Sequence, residues 1–220
     1  LCSDDADTNA LVTRGEAAII LHAVLTQSFH VEEPPAPVTL VNAAGVNVND
    51  FLLELRKVPE QVLDAFNAAG WTYCIDFDYM GGLSKKLNMS CIGATNYSRK
   101  TIYISEADAT LHEFGHFLDY ALGFPAEHER LYLAESQNSS LRDYAKTNSR
   151  EFFADCFVHW ITYSADKKRM DDFRDAAPQT YAYMKKLATN NWGSLIHTVR
   201  HGASQKWQSP AVDRFSLFPL

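Results

Sequence analysis

The chain has 220 residues, of which 46% are apolar and 21% charged, the balance of a globular protein and not of a disordered, collagenous or coiled-coil chain. Lys plus Arg total 20 against 27 Asp plus Glu, a net charge of −7 with a pI near 5.6. A phosphate backbone would be repelled by that balance, and Lys167-Lys168-Arg169 is the one basic run set against it, so no nucleic-acid partner is expected. The longest nearly apolar run, Ala17–Leu25, is nine residues where a bilayer needs about 20, so no membrane span is expected either.

In chain order, residues 11–30 place apolar side chains at helical spacing and stop at Glu32-Glu33-Pro34-Pro35-Ala36-Pro37. This predicts an N-terminal helical extension over 1–37 with a stiff Pro-rich connector. Val38–Val41 reads as a short strand, and a helix capped by Asn49 or Asp50 runs to Ala69, with Pro59 dividing it so that two helices meet at residue 58. Trp71–Tyr79 alternates as a strand up to a Gly81-Gly82 turn, followed by strands near Ser90–Gly93 and Thr101–Ser105. From Glu106 the pattern is helical to Leu122, then over 126–137, 149–164, 166–175 and 178–190, with Pro178 suited to a first turn. The tail over 193–220 reads as irregular and packed on the domain. Strands first and helices after is an α+β order, with the domain itself spanning 38–192.

Cys74 and Cys91 sit in strand-like segments on either side of Gly81-Gly82. A hairpin disulfide and two reduced thiols are the alternatives. Cys156 lies in an apolar run and reads as a buried small hydrophobe.

The informative segment is Leu111-His112-Glu113-Phe114-Gly115-His116. Histidines at i and i+4 of a helix share one face, so His112 and His116 can reach a single zinc ion, while Glu113 is placed to move a proton to and from reacting groups. Composition alone would produce such a match about 0.015 times in this chain. The amphipathic pattern of Leu111, Phe114, Phe117, Leu118, Ala121 and Leu122 after the strand Thr101–Ser105 supplies the right context. A catalytic zinc takes a third protein ligand. Glu151 and Asp155, at i and i+4 of a second helix, offer one direct ligand and one carboxylate to orient a histidine. A solvated acidic stripe is the other reading of that pair.

The sequence from the HEFGH helix, through Tyr144, to the Glu151-Phe152-Phe153-Ala154-Asp155 segment and Ala177-Pro178-Gln179-Thr180-Tyr181 resembles the anthrax lethal factor-like zinc metallopeptidases, a group that includes the bacterial Pro-Pro endopeptidases. The resemblance covers Val38 to Leu187 and is strongest from Leu111. It implies a zincin-like, gluzincin-type α+β domain: a small mixed sheet followed by a helical C-terminal half carrying the zinc site. It also implies His112, His116 and Glu151 as zinc ligands, Glu113 as general base and Tyr144, seven residues before Glu151, as the donor to the oxyanion. Asp155, where the relatives carry Glu, and Asp119, three residues past His116, are implied behind the ligands. The Trp-bearing loop that holds substrate prolines in the Pro-Pro endopeptidases has no counterpart between Tyr79-Met80 and Gly81-Gly82, which leaves cleavage specificity open.

The expectation is a secreted or cell-surface zinc endopeptidase, monomeric, binding a protein or peptide as an extended strand along the sheet edge at 90–98. Lys85, Lys86, Arg99 and Lys100 near that edge either favour acidic residues or form a solvated cluster. The alternatives are an inactive peptide-binding module on the same fold and a toxin-like protease cutting a host signalling protein. His22, His30, His128, His159, His197 and His201 read as structural or surface groups.

Overall fold

The computed structural model describes residues 36–192 and the backbone of 215–219, all within the second of the two compact units into which the chain divides, the one beginning at Ala36. The helical extension expected over 11–30 and most of the tail, with His22, His30, His197 and His201, lie outside the described residues.

Strand β1 (Leu40–Asn42) leads through helices α1 (Asn49–Leu55) and α2 (Glu60–Ala68) to β2 (Thr72–Ile75). The break at Pro59 is thus real, because proline has no N–H for the preceding turn and holds φ near −56° at the start of α2. Neither Asn49 nor Asp50 caps α1: Val48 holds that place, with no side-chain hydrogen bond.

The larger departure follows β2. In place of a strand to Tyr79 and a turn, the Asp76 carboxylate accepts the Tyr79 N–H at 2.8 Å and caps helix α3 (Phe77–Leu87), which carries Gly81 and Gly82 in its interior. A satisfied N-cap outweighs a short run of alternating residues. The helix ends at Asn88, with φ +51°, a left-handed conformation that asparagine tolerates.

Strands β3 (Cys91–Asn96) and β4 (Thr101–Ile104) complete the central sheet. Then come a 3-10 turn (Ala107–Ala109) and α4 (Thr110–Ala121), α5 (Ala126–Glu135), a 3-10 segment over Asp143–Lys146, α6 (Ser149–Tyr163), α7 (Lys167–Ala176) and α8 (Pro178–Thr189). Part of the tail expected to be irregular forms β5 (Phe215–Pro219). The sheet order is β1-β2-β4-β3-β5; β1, β2 and β4 run parallel, and β3 is antiparallel to both β4 and β5.

Alternation along the strands divides the interior. Tyr73, Ile75, Ile102 and Ile104 join α1, α2 and α4 in the main core, which includes the fully buried Phe66, Phe114 and Phe117. Cys74, Cys91, Ala94 and Tyr103 face the other way and are covered by Met80 and Leu83 of α3. Of the two alternatives left open for Cys74 and Cys91, the structure has the reduced pair: both are free and buried. The reason is topological: β4 lies between β2 and β3, pairing Cys74 with Tyr103 and Tyr103 with Ala94, so the two cysteine-bearing strands are two strand spacings apart, near 9.6 Å. Cys156 is fully buried, as expected.

Helices α4 and α6 cross where α4 has Gly115. A Cβ there would stand 2.7 Å from the Ala154 Cα and 3.0 Å from its carbonyl oxygen. Gly115→Ala should therefore cost about 1–3 kcal/mol of overpacking against roughly 1 kcal/mol of gained helix propensity, a net loss. Urea unfolding should show a lower midpoint at unchanged slope. Alkylation of the denatured, unreduced protein should label both Cys74 and Cys91.

Candidate metal centre

The crossing of α4 and α6 turns two faces toward one point. His112, Glu113 and His116 of α4 are wholly buried, and Glu151 and Asp155 of α6 nearly so. Asn148 fixes the start of α6 by accepting the N–H groups of Arg150 and Glu151 at 3.0 and 3.1 Å, which sets Glu151 in the first turn. His112 Nε2 lies 2.9 Å from His116 Nε2 and 2.9 Å from Glu151 Oε2, with His116 Nε2 3.2 Å from that same oxygen. Among the described residues these three form the group of ligand atoms suited to a metal ion, all within 4.8 Å of one another.

The donor set fits a metal on chemical grounds. His112 Nδ1 donates to Asp155 Oδ1 at 2.7 Å, leaving the lone pair on Nε2, which faces the carboxylate oxygen of Glu151. Two acceptors in contact in a dry interior repel, and a shared cation relieves them. Donors bound at about 2.0–2.1 Å to one tetrahedral zinc stand roughly 3.3 Å apart, close to the edges of this triangle. Two histidines and one carboxylate also leave a fourth position open, the pattern of catalytic zinc sites. Burial pushes the Glu151 carboxyl up, but the two imidazoles beside it more than offset this and hold it below the usual carboxylate range.

Glu113 lies toward the sheet. Its Oε2 accepts from Thr95 Oγ1 at 2.6 Å, while Oε1 is buried with no hydrogen-bond partner among the described residues. A Cβ at Gly93 would stand 2.6 Å from that Oε1, so β3 carries glycine where the strand passes the carboxylate. Burial, above the lowering influences of His112 and Thr95, pushes the Glu113 carboxyl up to about 8.

Asp155 is held from its far side. Arg142 Nε and Nη2 donate to its two oxygens at 2.6 and 2.8 Å, and Nη2 lies 3.2 Å from His112 Nδ1. Burial raises the Asp155 carboxyl, and the His112 and Arg142 hydrogen bonds bring it below its ordinary value. Tyr144, in the 3-10 segment before α6, hydrogen-bonds Glu151, and burial followed by the charges of Glu151 and Glu113 raises its phenol well above the ordinary value. Thr147 Oγ1 donates to the Tyr144 carbonyl at 2.8 Å and Tyr132 Oη to the Lys146 carbonyl at 2.9 Å, pinning that segment.

The structure thus brings together His112, Glu113, His116, Tyr144, Glu151 and Asp155. Asp119 behaves differently from expectation: it pairs with His128 Nδ1 at 2.6 Å, whose Nε2 meets Tyr183 Oη at 2.9 Å, and so ties α4 to α5 and α8. One helical turn past His116, its side chain reaches α5 before it can reach a ligand. His159 lines a cleft of about 600 Å³ with His112, Arg142 and Asp155. Sequence reasoning missed Arg142, Thr95 and Gly93, since each acts through a partner distant in sequence. Gly93 inside a strand run was the one available signal. The edge at 90–98 expected to receive substrate is also not bare, for β5 pairs along it.

A mixed sheet backed by a histidine-bearing helix, with a carboxylate delivered by a second helix, is a zincin-like metallopeptidase domain. The family model described as "Anthrax toxin lethal factor, N- and C-terminal domain" matches residues 52–187, and the chain belongs to that family. Among solved structures, the Pro-Pro endopeptidase PPEP-2 from Paenibacillus alvei superposes with a TM-score of 0.52 at 18% identity over 67% of this chain and 96% of that one, a likeness of fold. No curated protein matches the chain by sequence. Membership supports a metal-dependent endopeptidase at the level of the family.

Partners behind metal ligands commonly govern affinity by about 10–100-fold. Asp155→Ala and Arg142→Ala should each weaken zinc binding on that scale, read by competition with a chromogenic chelator.

Proposed function

We propose that the chain is a secreted zinc endopeptidase, with zinc held by His112 Nε2, His116 Nε2 and Glu151 Oε2. The observation that carries this reading is the buried triad of donor atoms within 4.8 Å, with a carboxylate oxygen of Glu113, the residue next to His112 on the same helix, that has no partner among the described residues. Secretion is in keeping with a family named for a toxin. Among the described residues no helix is long and apolar enough to cross a membrane.

Zinc at this position supplies Lewis acidity, which makes water acidic enough to attack near neutral pH and polarises the scissile carbonyl. The residues of the chain do the rest. Asp155, steadied by Arg142, fixes the His112 ring and its tautomer. Thr95 anchors Glu113 through one oxygen, leaving the other to take a proton from the attacking water and return it to the departing amine. The Tyr144 phenol, now donating to Glu151, turns its proton to the developing oxyanion. Substrate is a protein or peptide bound in extended form.

Incubation of the zinc-loaded protein with a diverse peptide pool, read by mass spectrometry, tests this reading. Cleavage is expected from the native chain and not from Glu113→Gln, which should keep its zinc, and chelation should abolish it. Zinc-loaded protein that cuts no faster than Glu113→Gln would sink the proposal. Tyr144→Phe should lower kcat by about 10²–10³-fold with zinc affinity little changed, since removal of one oxyanion donor costs about that much.

A further inference from the structure

We infer that the chain's own Phe215–Pro219 occupies, in place of substrate, the outer edge of β3 along which a substrate strand is expected. The inference rests on the peptidase reading above. Its starting point is the contact between β3 and Glu113: Thr95 donates to the carboxylate, and the Gly93 backbone passes so close that a Cβ would touch Oε1. A strand added outside β3 therefore lies about 4.8 Å from the strand that walls the proposed base. The active helix α4 touches β5 as well as β3. In the order β1-β2-β4-β3-β5, the opposite edge of the sheet, β1, is three strands away from β3. An extended peptide that is to reach Glu113 by adding to this sheet must take the place β5 now holds.

Three observations mark β5 as an occupant and not as a required part of the domain. The family match ends at residue 187, and Phe215 comes 28 residues later. The pairing is short and broken: it runs antiparallel from Asn96 opposite Phe215 to Cys91 opposite Pro219, with a register shift between Cys91 and Gly93. Proline, in addition, brings no N–H to the ladder. A five-residue strand with a bulge and a missing donor is a weak addition, yet being on the same chain it competes at an effective concentration on the order of millimolar. Substrate at micromolar concentration meets an edge already taken. The occupant also indicates the class of ligand: Phe-Ser-Leu-Phe-Pro is uncharged, so the edge takes an extended, apolar peptide rather than the acidic one suggested by Lys85, Lys86, Arg99 and Lys100.

The test compares zinc-loaded full chain, a chain ending at Arg214, and full-length Leu217→Pro, with a fluorescent peptide of residues 213–220 as probe. Expected are peptide-pool cleavage at least 10-fold faster by both variants, binding of the probe to the shortened chain by anisotropy, and competitive inhibition by that peptide (KM raised, kcat unchanged). Equal rates for all three chains with no binding of the probe would make β5 a permanent fifth strand and overturn the inference. Probe binding without cleavage by any chain would instead sink the peptidase reading and leave the occupied edge standing. Should both variants fail to fold, hydrogen exchange on the full chain decides. Gly93–Asn96 amides facing β5 should exchange well before those of β2 and β4, and exchange only with global unfolding would overturn the inference.

Discussion

The crossing of α4 over α6 at Gly115 and Ala154 is the constraint from which the candidate site follows. With no side chain on one helix and a methyl on the other, the backbones approach until a further Cβ would sit 2.7 Å from the Ala154 Cα. Only at that separation can Glu151 Oε2 come within 2.9 and 3.2 Å of the two histidine nitrogens, and Asp155 reach the back of His112. Carboxylates and imidazoles are short side chains. A helix pair held apart by Leu or Phe would leave them out of reach of one another.

Close approach has an electrostatic cost, and the surroundings are arranged to meet it. Ionisable groups this deeply buried would be untenable singly, so each is given partners: Asp155 is shared between His112 and Arg142, and Glu151, beside the two histidines, accepts from Tyr144. Glu113 is the exception. Its single side-chain donor among the described residues is Thr95, and it is accordingly the carboxyl that burial raises most plainly. A chain of fixed groups thus surrounds one group left partly unsatisfied, the arrangement expected where a side chain has to exchange a proton. The Asp119–His128–Tyr183 network, buried at Asp119 and His128 and half-buried at Tyr183, has both histidine nitrogens occupied; its consequence is to lock α5 and α8 against the helix that carries the site.

The sheet contributes by proximity. Gly93 and Thr95 bring β3 against Glu113, so that the strand next to this carboxylate is also the one whose outer edge is covered by β5. On the proposed reading, recognition and chemistry are in this way coupled through a single strand. A segment lying 28 residues beyond the family match thus lies along the strand beside the candidate centre.

Much of this was legible in one dimension. Spacing of i and i+4 on a helix fixes which side chains share a face, and this is a local property; His112 with His116, Glu151 with Asp155, the break at Pro59 and the succession of C-terminal helices all follow from it. Where local signals competed, reading failed: Asp76 capped a helix at a place where alternation had suggested a strand. Strand order, the neighbours of a glycine and the partner of a buried arginine depend on contacts between residues far apart in the chain. Hence the separation of Cys74 from Cys91 by β4, the roles of Gly93, Thr95 and Arg142, and the covering of β3 by β5 were decided by tertiary structure alone. The sequence by itself determined which groups could do the chemistry, because local geometry presents them. Folding in three dimensions decided what holds those groups in place and what lies across the edge beside them, because only long-range packing brings such partners together.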